Sequence, residues 1–265
     1  MLFIITIVLD GMKFLPIQLA TFNRLKIPWR WIVIEGQARN VNCTAWTAEM
    51  PPRLSEDGST QWLTEMRWNH PNVIHAKMPS WNGKLEMFNY AMTIIHAQKE
   101  KIGAGDAVVM ECDVDELWEA IQLETIVQFF ETSADYQRMQ FHCRYFLGPN
   151  IIITSRNTYG NHDAYEWYRA WRYFQSFKFL KHEAPEVNSP PGKTLDADTT
   201  EAMGLVFDHQ AYFYEDQVRY KEKFYQYPNA VEQWRALQSA PKPCRVGDYL
   251  KWVTDGAMCD RVVKI

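Results

Sequence analysis

The sequence predicts an α/β protein whose core is a mainly parallel sheet flanked by helices. Three observations predict it. Apolar, strand-like runs alternate with helix-period segments through the first half, the spacing of right-handed βαβ units. The runs read as buried on both faces. One of them leads straight into a group of carboxylates, Val108-Val109-Met110-Glu111-Cys112-Asp113-Val114-Asp115-Glu116, and ligands of open α/β sheets bind beyond the carboxyl ends of the strands.

Phe3 to Leu9 is a β-branched run that predicts the first strand. Leu15, Leu19, Phe22 and Leu25 recur at helical spacing, and Pro28 stops that helix. Trp31 to Ile34 reads as a second strand, closed by Glu35-Gly36. Residues 51–60 are turn-rich and predict a surface loop, followed by a helix over Gln61 to Trp68. Asn72 to Ala76 is a third strand, and Leu85 to Gln98 a helix that begins after the Asn82-Gly83 turn. Ala107 to Cys112 is the strand that ends in acid, and Leu117 to Phe130 is helical.

The second half differs. Tyr136 to Leu147 and Ile151 to Ser155 predict strands about a Gly148-Pro149-Asn150 hairpin turn. Trp167, Trp171 and Phe174 fall at i, i+4 and i+7, which reads as a helical core stripe with Arg169 and Arg172 beside it. Val187 to Thr200, with Pro190-Pro191-Gly192, reads as a long loop. Tyr214 to Tyr225 and Ala230 to Leu237 predict two further helices.

The chain has 265 residues, 47% of them hydrophobic, enough to bury a core without staples. A formal charge of −4 argues against a nucleic-acid backbone as partner. No apolar run approaches the roughly 18 residues of a transmembrane segment. The first strand lacks the basic flank and cleavage site of a signal peptide, so the expected location is cytoplasmic, with peripheral membrane attachment left open. The five cysteines include no C-x-x-C pair and are expected to be free thiols. Asn42-Cys43-Thr44 matches a glycosylation acceptor only formally.

Period-2 geometry would point Glu111, Asp113 and Asp115 to one side. Carboxylates gathered at a strand end repel unless a cation or protons neutralise them, and Mg²⁺ or Mn²⁺ with a diphosphate would do so. A solvated helix N-terminus explains acidic residues equally simply. A covalent aspartyl-phosphate phosphatase would carry its D-x-D on the first strand, whereas here the motif follows three others.

With these residues the chain resembles a nucleotide-sugar-dependent glycosyltransferase of the GT-A fold, related to the family-2 transferases of bacteria and viruses. The resemblance rests on Ile4 to Gly11 with Trp31 to Gly36, on Asp113-Val114-Asp115 with Glu116-Leu117, and on Asp208-His209-Gln210-Ala211-Tyr212 with Gln217-Val218 and Lys221-Glu222. It implies one transferase domain over residues 1–265, with a nucleotide-sugar half at 1–130 and an acceptor half at 131–265. It further implies Leu9, Asp10, Gly11 and Glu35 at the base and ribose, Lys84 and Lys221 at the diphosphate, and Asp113, Asp115 and His209 at Mn²⁺ or Mg²⁺. The donor implied is a UDP- or GDP-sugar and the acceptor a glycan or glycolipid.

An inverting transfer also needs a carboxylate to take the acceptor's proton, whereas a retaining one needs no such base. Glu183 is the first candidate and Asp163 the second. Tyr159, Tyr165, Trp167, Tyr168, Trp171 and Tyr173 could stack on sugar faces, although aromatic side chains at helical spacing more often build core. Two other readings are open at this point: a sugar nucleotidyltransferase, for which Asp10-Gly11-Met12-Lys13 is a poor Gly-rich loop, and a non-catalytic carbohydrate-binding module with a structural ion.

Overall fold

A computed structural model describes residues 1–39, 50–102, 107–162, 167–182 and 184–262, with side chains at 99–102 left aside. Asn42, Cys43, Asp163, Tyr165 and Glu183 lie outside the described residues.

The chain runs through β1 (Leu2–Val8), α1 (Leu15–Phe22), β2 (Trp29–Ala38), α2 (Ser59–Asn69), β3 (Val73–Trp81), α3 (Lys84–Ile102) and β4 (Val108–Glu111). It continues with β5 (Glu116–Leu117), α4 (Ala120–Thr132), β6 (Tyr136–Gln140), β7 (Cys143–Gly148), β8 (Ile151–Ile153) and β9 (Tyr168–Arg172). The last part holds β10 (Phe179–Lys181), β11 (Glu186–Val187), β12 (Lys193–Leu195), α5 (Ala197–Ala202), β13 (Phe207–His209), α6 (Glu215–Phe224), α7 (Ala230–Ser239), β14 (Cys244–Arg245) and β15 (Met258–Arg261).

The main sheet has the order β12-β6-β9-β4-β1-β2-β3. Strands β4, β1, β2 and β3 pair in parallel, and β9 is antiparallel to both its neighbours. The expected mainly parallel α/β sheet is therefore present. Alternation along β1 explains its burial on both faces. Leu2 and Ile4 join the core under α1, α2 and α4, while Phe3 and Ile5 join the core under α3. A second sheet, β14-β15-β8-β7-β13-β5, packs beside the carboxyl end of β4 and is largely antiparallel.

Three expectations are corrected. Strand β2 does not close at Glu35-Gly36. Gly36 takes φ +134°, and a Cβ there would stand 1.8 Å from the Met78 carbonyl oxygen. The bulge opposite this glycine lets pairing resume at Gln37 and Ser80. Trp167, Trp171 and Phe174 are not on a helix. Residues 168–172 form β9, whose pairing with β4 and β6 overrides the helical spacing, and Trp167 packs on one core while Trp171 and Phe174 pack on the other. The segment Val187 to Thr200 is not one loop, because β12 extends the main sheet beside β6 and α5 follows directly. Among the described residues no helix is long and apolar enough to cross a membrane.

Candidate active site

Strand β4 ends at Glu111, and the chain turns at once instead of continuing extended. Two buried polar side chains fix that turn. Thr6 Oγ1 donates to the Cys112 carbonyl at 2.8 Å and accepts from Trp31 Nε1 at 2.9 Å. Gln18 Nε2, from α1, donates to the carbonyls of Asp113 at 2.9 Å and Glu116 at 3.0 Å. Strand alternation thus stops at Glu111, and the three carboxylates do not share one face as period 2 predicts.

Glu111 and Asp113 meet Arg169 of β9 instead. Its guanidinium makes a two-pronged contact with Glu116 at 2.7 to 3.1 Å, reaches Glu111 at 3.1 Å and Asp113 at 3.1 Å, and lies 5.0 Å from the centre of the Trp167 ring. Glu111 and Glu116 are fully buried and Arg169 nearly so. Burial raises Glu111 well above the usual carboxylate range against the pull of Arg169, and raises Glu116 to about 7. Asp113 keeps a quarter of its side chain exposed.

Asp115 turns the other way, towards His209 at the end of β13. Its Oδ1 stands 3.6 Å from His209 Nε2, and Gln217 Nε2 donates to its Oδ2 at 3.4 Å. Burial opposes its charge, but His209 and Lys221 outweigh burial and hold it below the usual range. The His209 ring is boxed edge-on by Tyr145 at 4.9 Å and Trp167 at 4.7 Å. Trp167 is held in place at φ +64°, a left-handed conformation rare for a tryptophan, and its Nε1 donates to the Gly160 carbonyl at 3.0 Å.

These groups open onto one cleft of about 1000 Å³. It gathers seven of the eleven residues named in the sequence as nucleotide, metal or base candidates: Leu9, Asp10, Lys84, Asp113, Asp115, His209 and Lys221. Lys84 stands in the first turn of α3, as the Asn82-Gly83 turn predicts, and Lys221 comes from α6. Across the mouth, Lys13 pairs with Asp216 and tethers the turn after β1 to α6.

Gly11 and Glu35 do not line the cleft. A Cβ on Gly11 would press on Val8 and Val114 side chains at 2.5 and 2.6 Å, so the glycine serves the close approach of two loops. Glu35 is fully buried. It accepts from Ser55 N–H at 3.0 Å and from the Thr60 hydroxyl, and pairs with His75 Nε2 at 2.8 Å. Ser55 Oγ in turn accepts from the Asp10 N–H at 3.0 Å, and Asp10 accepts from Glu56 N–H at 2.8 Å and Arg53 at 2.5 Å. Glu35 is thus the buried anchor of the loop that holds the Asp10 turn, which itself adopts φ +58°.

Burial opposes the charge of Glu35, but the bonds from His75, Thr60 and Ser55 outweigh it and lower its pKa from 4.5 to about 2. A depressed carboxylate stabilises the fold above its unfolded pKa and loses that contribution as pH falls through the folded one. Glu35 therefore contributes about 3 kcal/mol at neutral pH, lost between pH 4.5 and about 2. Glu35→Gln is expected to lose up to that amount at pH 7 and to flatten the stability curve across that window, as urea unfolding at stepped pH will show.

Sequence reasoning missed the depth of Arg169 and the roles of Gln18 and Trp167. It left Arg169 either to meet anionic groups or to cap the domain surface, and the first of these is what the fold shows. Outside the cleft lining, His142, Asp198 and Glu201 bring three ligand atoms within 4.8 Å of one another, and Glu201 already pairs there with Arg156.

No family model matches the chain, and no curated protein matches it. Among solved structures it is similar to S. aureus TarS, at 10% identity and a TM-score of 0.43 over 89% of this chain and 42% of that one. TarS in complex with UDP-GlcNAc gives 12% identity and 0.41 over 64% of this chain and 45% of the other. A mannosyltransferase of Pyrobaculum calidifontis in complex with GDP-Man and Mn²⁺ gives 15% and 0.37 over 54% and 35%. The chain spans less than half the length of each of these structures. Overlaps this partial carry no weight for the activity of this chain.

Proposed function

We propose that this chain is a glycosyltransferase of GT-A type that moves a sugar from a nucleoside diphosphate sugar to a carbohydrate or glycolipid acceptor with the help of a divalent ion. The observation that carries the reading is the convergence of Asp113, Asp115 and His209 with Lys84 and Lys221 on one cleft at the carboxyl ends of β1 and β4.

Two of the three donors, Asp115 and His209, stand close enough to share a divalent ion. Asp115 Oδ1 and His209 Nε2 face each other at 3.6 Å, long for a hydrogen bond and suited to two ligands of one cation. Carboxylate and water oxygens suit Mn²⁺ and Mg²⁺, and neutral imidazole is a common metal ligand. Asp115 and His209 would hold the ion, with Asp113 on the side of Arg169. Such an ion supplies Lewis-acid stabilisation of the charge that develops on the departing diphosphate.

This chain's own residues do the rest. Lys84 and Lys221 add positive charge where the leaving group forms. Trp167 and Tyr145 keep the imidazole oriented. Arg169 neutralises Glu116 and holds Asp113 from behind, so that the motif stays folded before any ligand arrives. The inverting base is Glu183, which stands in sequence between the cleft-lining His182 and Ala184, with Asp163 as the alternative. It takes the acceptor hydroxyl proton as that oxygen attacks the anomeric carbon.

The test is a donor screen. The purified chain, with Mn²⁺ or Mg²⁺, is incubated with UDP- and GDP-sugars, and nucleoside diphosphate release is measured with water and with glycans as acceptors. The reading expects one donor to be turned over and a chelator to stop it. Folded protein that releases no nucleoside diphosphate from any donor contradicts it, and release of pyrophosphate when the chain is given a nucleoside triphosphate with a sugar 1-phosphate would mark a nucleotidyltransferase.

A further inference from the structure

Cys244 and Cys259 are separated by 15 positions in sequence but face each other directly across the antiparallel β14–β15 pair. Their Sγ atoms lie 3.6 Å apart. Val246 N–H donates to the Ala257 carbonyl at 2.8 Å, and Cys244 with Cys259 stands two positions along the same pair. Antiparallel sites alternate, so the cysteines also occupy a hydrogen-bonded position, where facing Cα atoms are about 5.5 Å apart. That separation falls within the roughly 4.4–6.8 Å that a disulfide spans. Side-chain rotation is then enough to bring the sulfurs to bonding distance. The buried thiols of Cys112 and Cys143 are engaged elsewhere, with Gln18 and with the Gly160 carbonyl.

The loop between these two strands reaches the cleft wall. Trp252 stacks on Tyr227 at 4.5 Å with the rings 2° from parallel, and packs 5.9 Å from Tyr212. Asp255 accepts the Tyr159 N–H at 2.6 Å. Tyr159, Tyr212 and Tyr227 all line the cleft.

We propose that Cys244 and Cys259 are a reversible disulfide site that ties β14 to β15 and holds residues 246–257 against the tyrosine wall of the cleft. The inference is independent of the transferase reading. The oxidant is a low-molecular-weight disulfide such as glutathione disulfide. Cys244, the more exposed of the two, loses its proton to solvent and attacks one glutathione sulfur, expelling one glutathione thiolate. Cys259 then attacks the mixed disulfide at the Cys244 sulfur, its proton leaves, and the second glutathione thiolate departs. The protein loses two hydrogens, and glutathione disulfide is reduced to two thiols. Burial and the neighbouring Cys244 push the Cys259 thiol up to about 12, which makes Cys244 the first nucleophile.

The full chain is incubated with glutathione disulfide or with dithiothreitol, digested without reduction and read by mass spectrometry. The expected product is a peptide pair joined through Cys244 and Cys259, abolished in both Cys244→Ser and Cys244→Ala and reversed by dithiothreitol. The oxidised protein should melt several degrees higher and resist proteolysis within residues 246–257. Both thiols remaining open to alkylation, or Cys244 accumulating only as a glutathione adduct, would overturn the site. A link that changes neither melting nor cleavage would overturn its role as a brace.

Discussion

Replacing Arg169 by methionine is expected to destabilise the fold by about 3–5 kcal/mol, the cost of stripping the partner from a buried charge. Methionine keeps the volume and the contact with the Trp167 ring, so the loss reports the charge. Without the guanidinium, Glu111 and Glu116, both fully buried, stand beside Asp113 with no cation from β9. The cluster can recover only by taking up protons. The instability of Arg169→Met should therefore deepen as pH rises from 5 to 8, and Arg169→Met/Glu116→Gln should regain part of the loss. Denaturant unfolding of the wild type, the single variant and the double variant checks this. A loss below about 1 kcal/mol, the scale of a surface pair, would show that Arg169 is not the keystone of this strand end.

Replacing Asp115 by alanine is expected to lower donor turnover by about 10²–10³-fold, or about 3–4 kcal/mol of transition-state stabilisation. Asp115 is the carboxylate that faces His209 at 3.6 Å, whereas Asp113 is already engaged by Arg169. Asp113→Ala should therefore retain more activity than Asp115→Ala and lose more stability. The nucleoside diphosphate release assay, with unfolding curves alongside, separates the two effects. Equal losses of turnover, with no difference in stability, would contradict the division of labour between the two aspartates.

What could be read in the sequence followed locality. Strands β1, β2 and β4 are short apolar runs whose both-face burial is written in their composition, and the D-x-D motif is contiguous. His209 and Lys221 came from a resemblance, and the fold brings both to the cleft. Glu35 was a ligand only by what the resemblance implies for the end of the second strand. Its real partners, Ser55, Thr60 and His75, come from a loop and a neighbouring strand whose approach no spacing reveals. Arg169 sat between aromatic residues at helical intervals. Only the antiparallel pairing of β9 with β4, a contact across some 60 positions, turns that segment into a strand and carries the guanidinium to Glu111. Lys193–Leu195 is a strand only because β6 offers it an edge. The pairing of Cys244 with Cys259 likewise depends on a turn that the sequence does not announce.

Calorimetric titration of the wild-type chain with UDP and GDP, with and without Mn²⁺, tests the central claim most directly. The cleft of Asp115, His209, Lys84 and Lys221 predicts one nucleotide bound per chain, with Mn²⁺ strengthening the binding at least tenfold and Asp115→Ala abolishing that gain. Failure of both nucleotides to bind, with Mn²⁺ present and the chain folded, would contradict a UDP- or GDP-sugar donor site in this cleft.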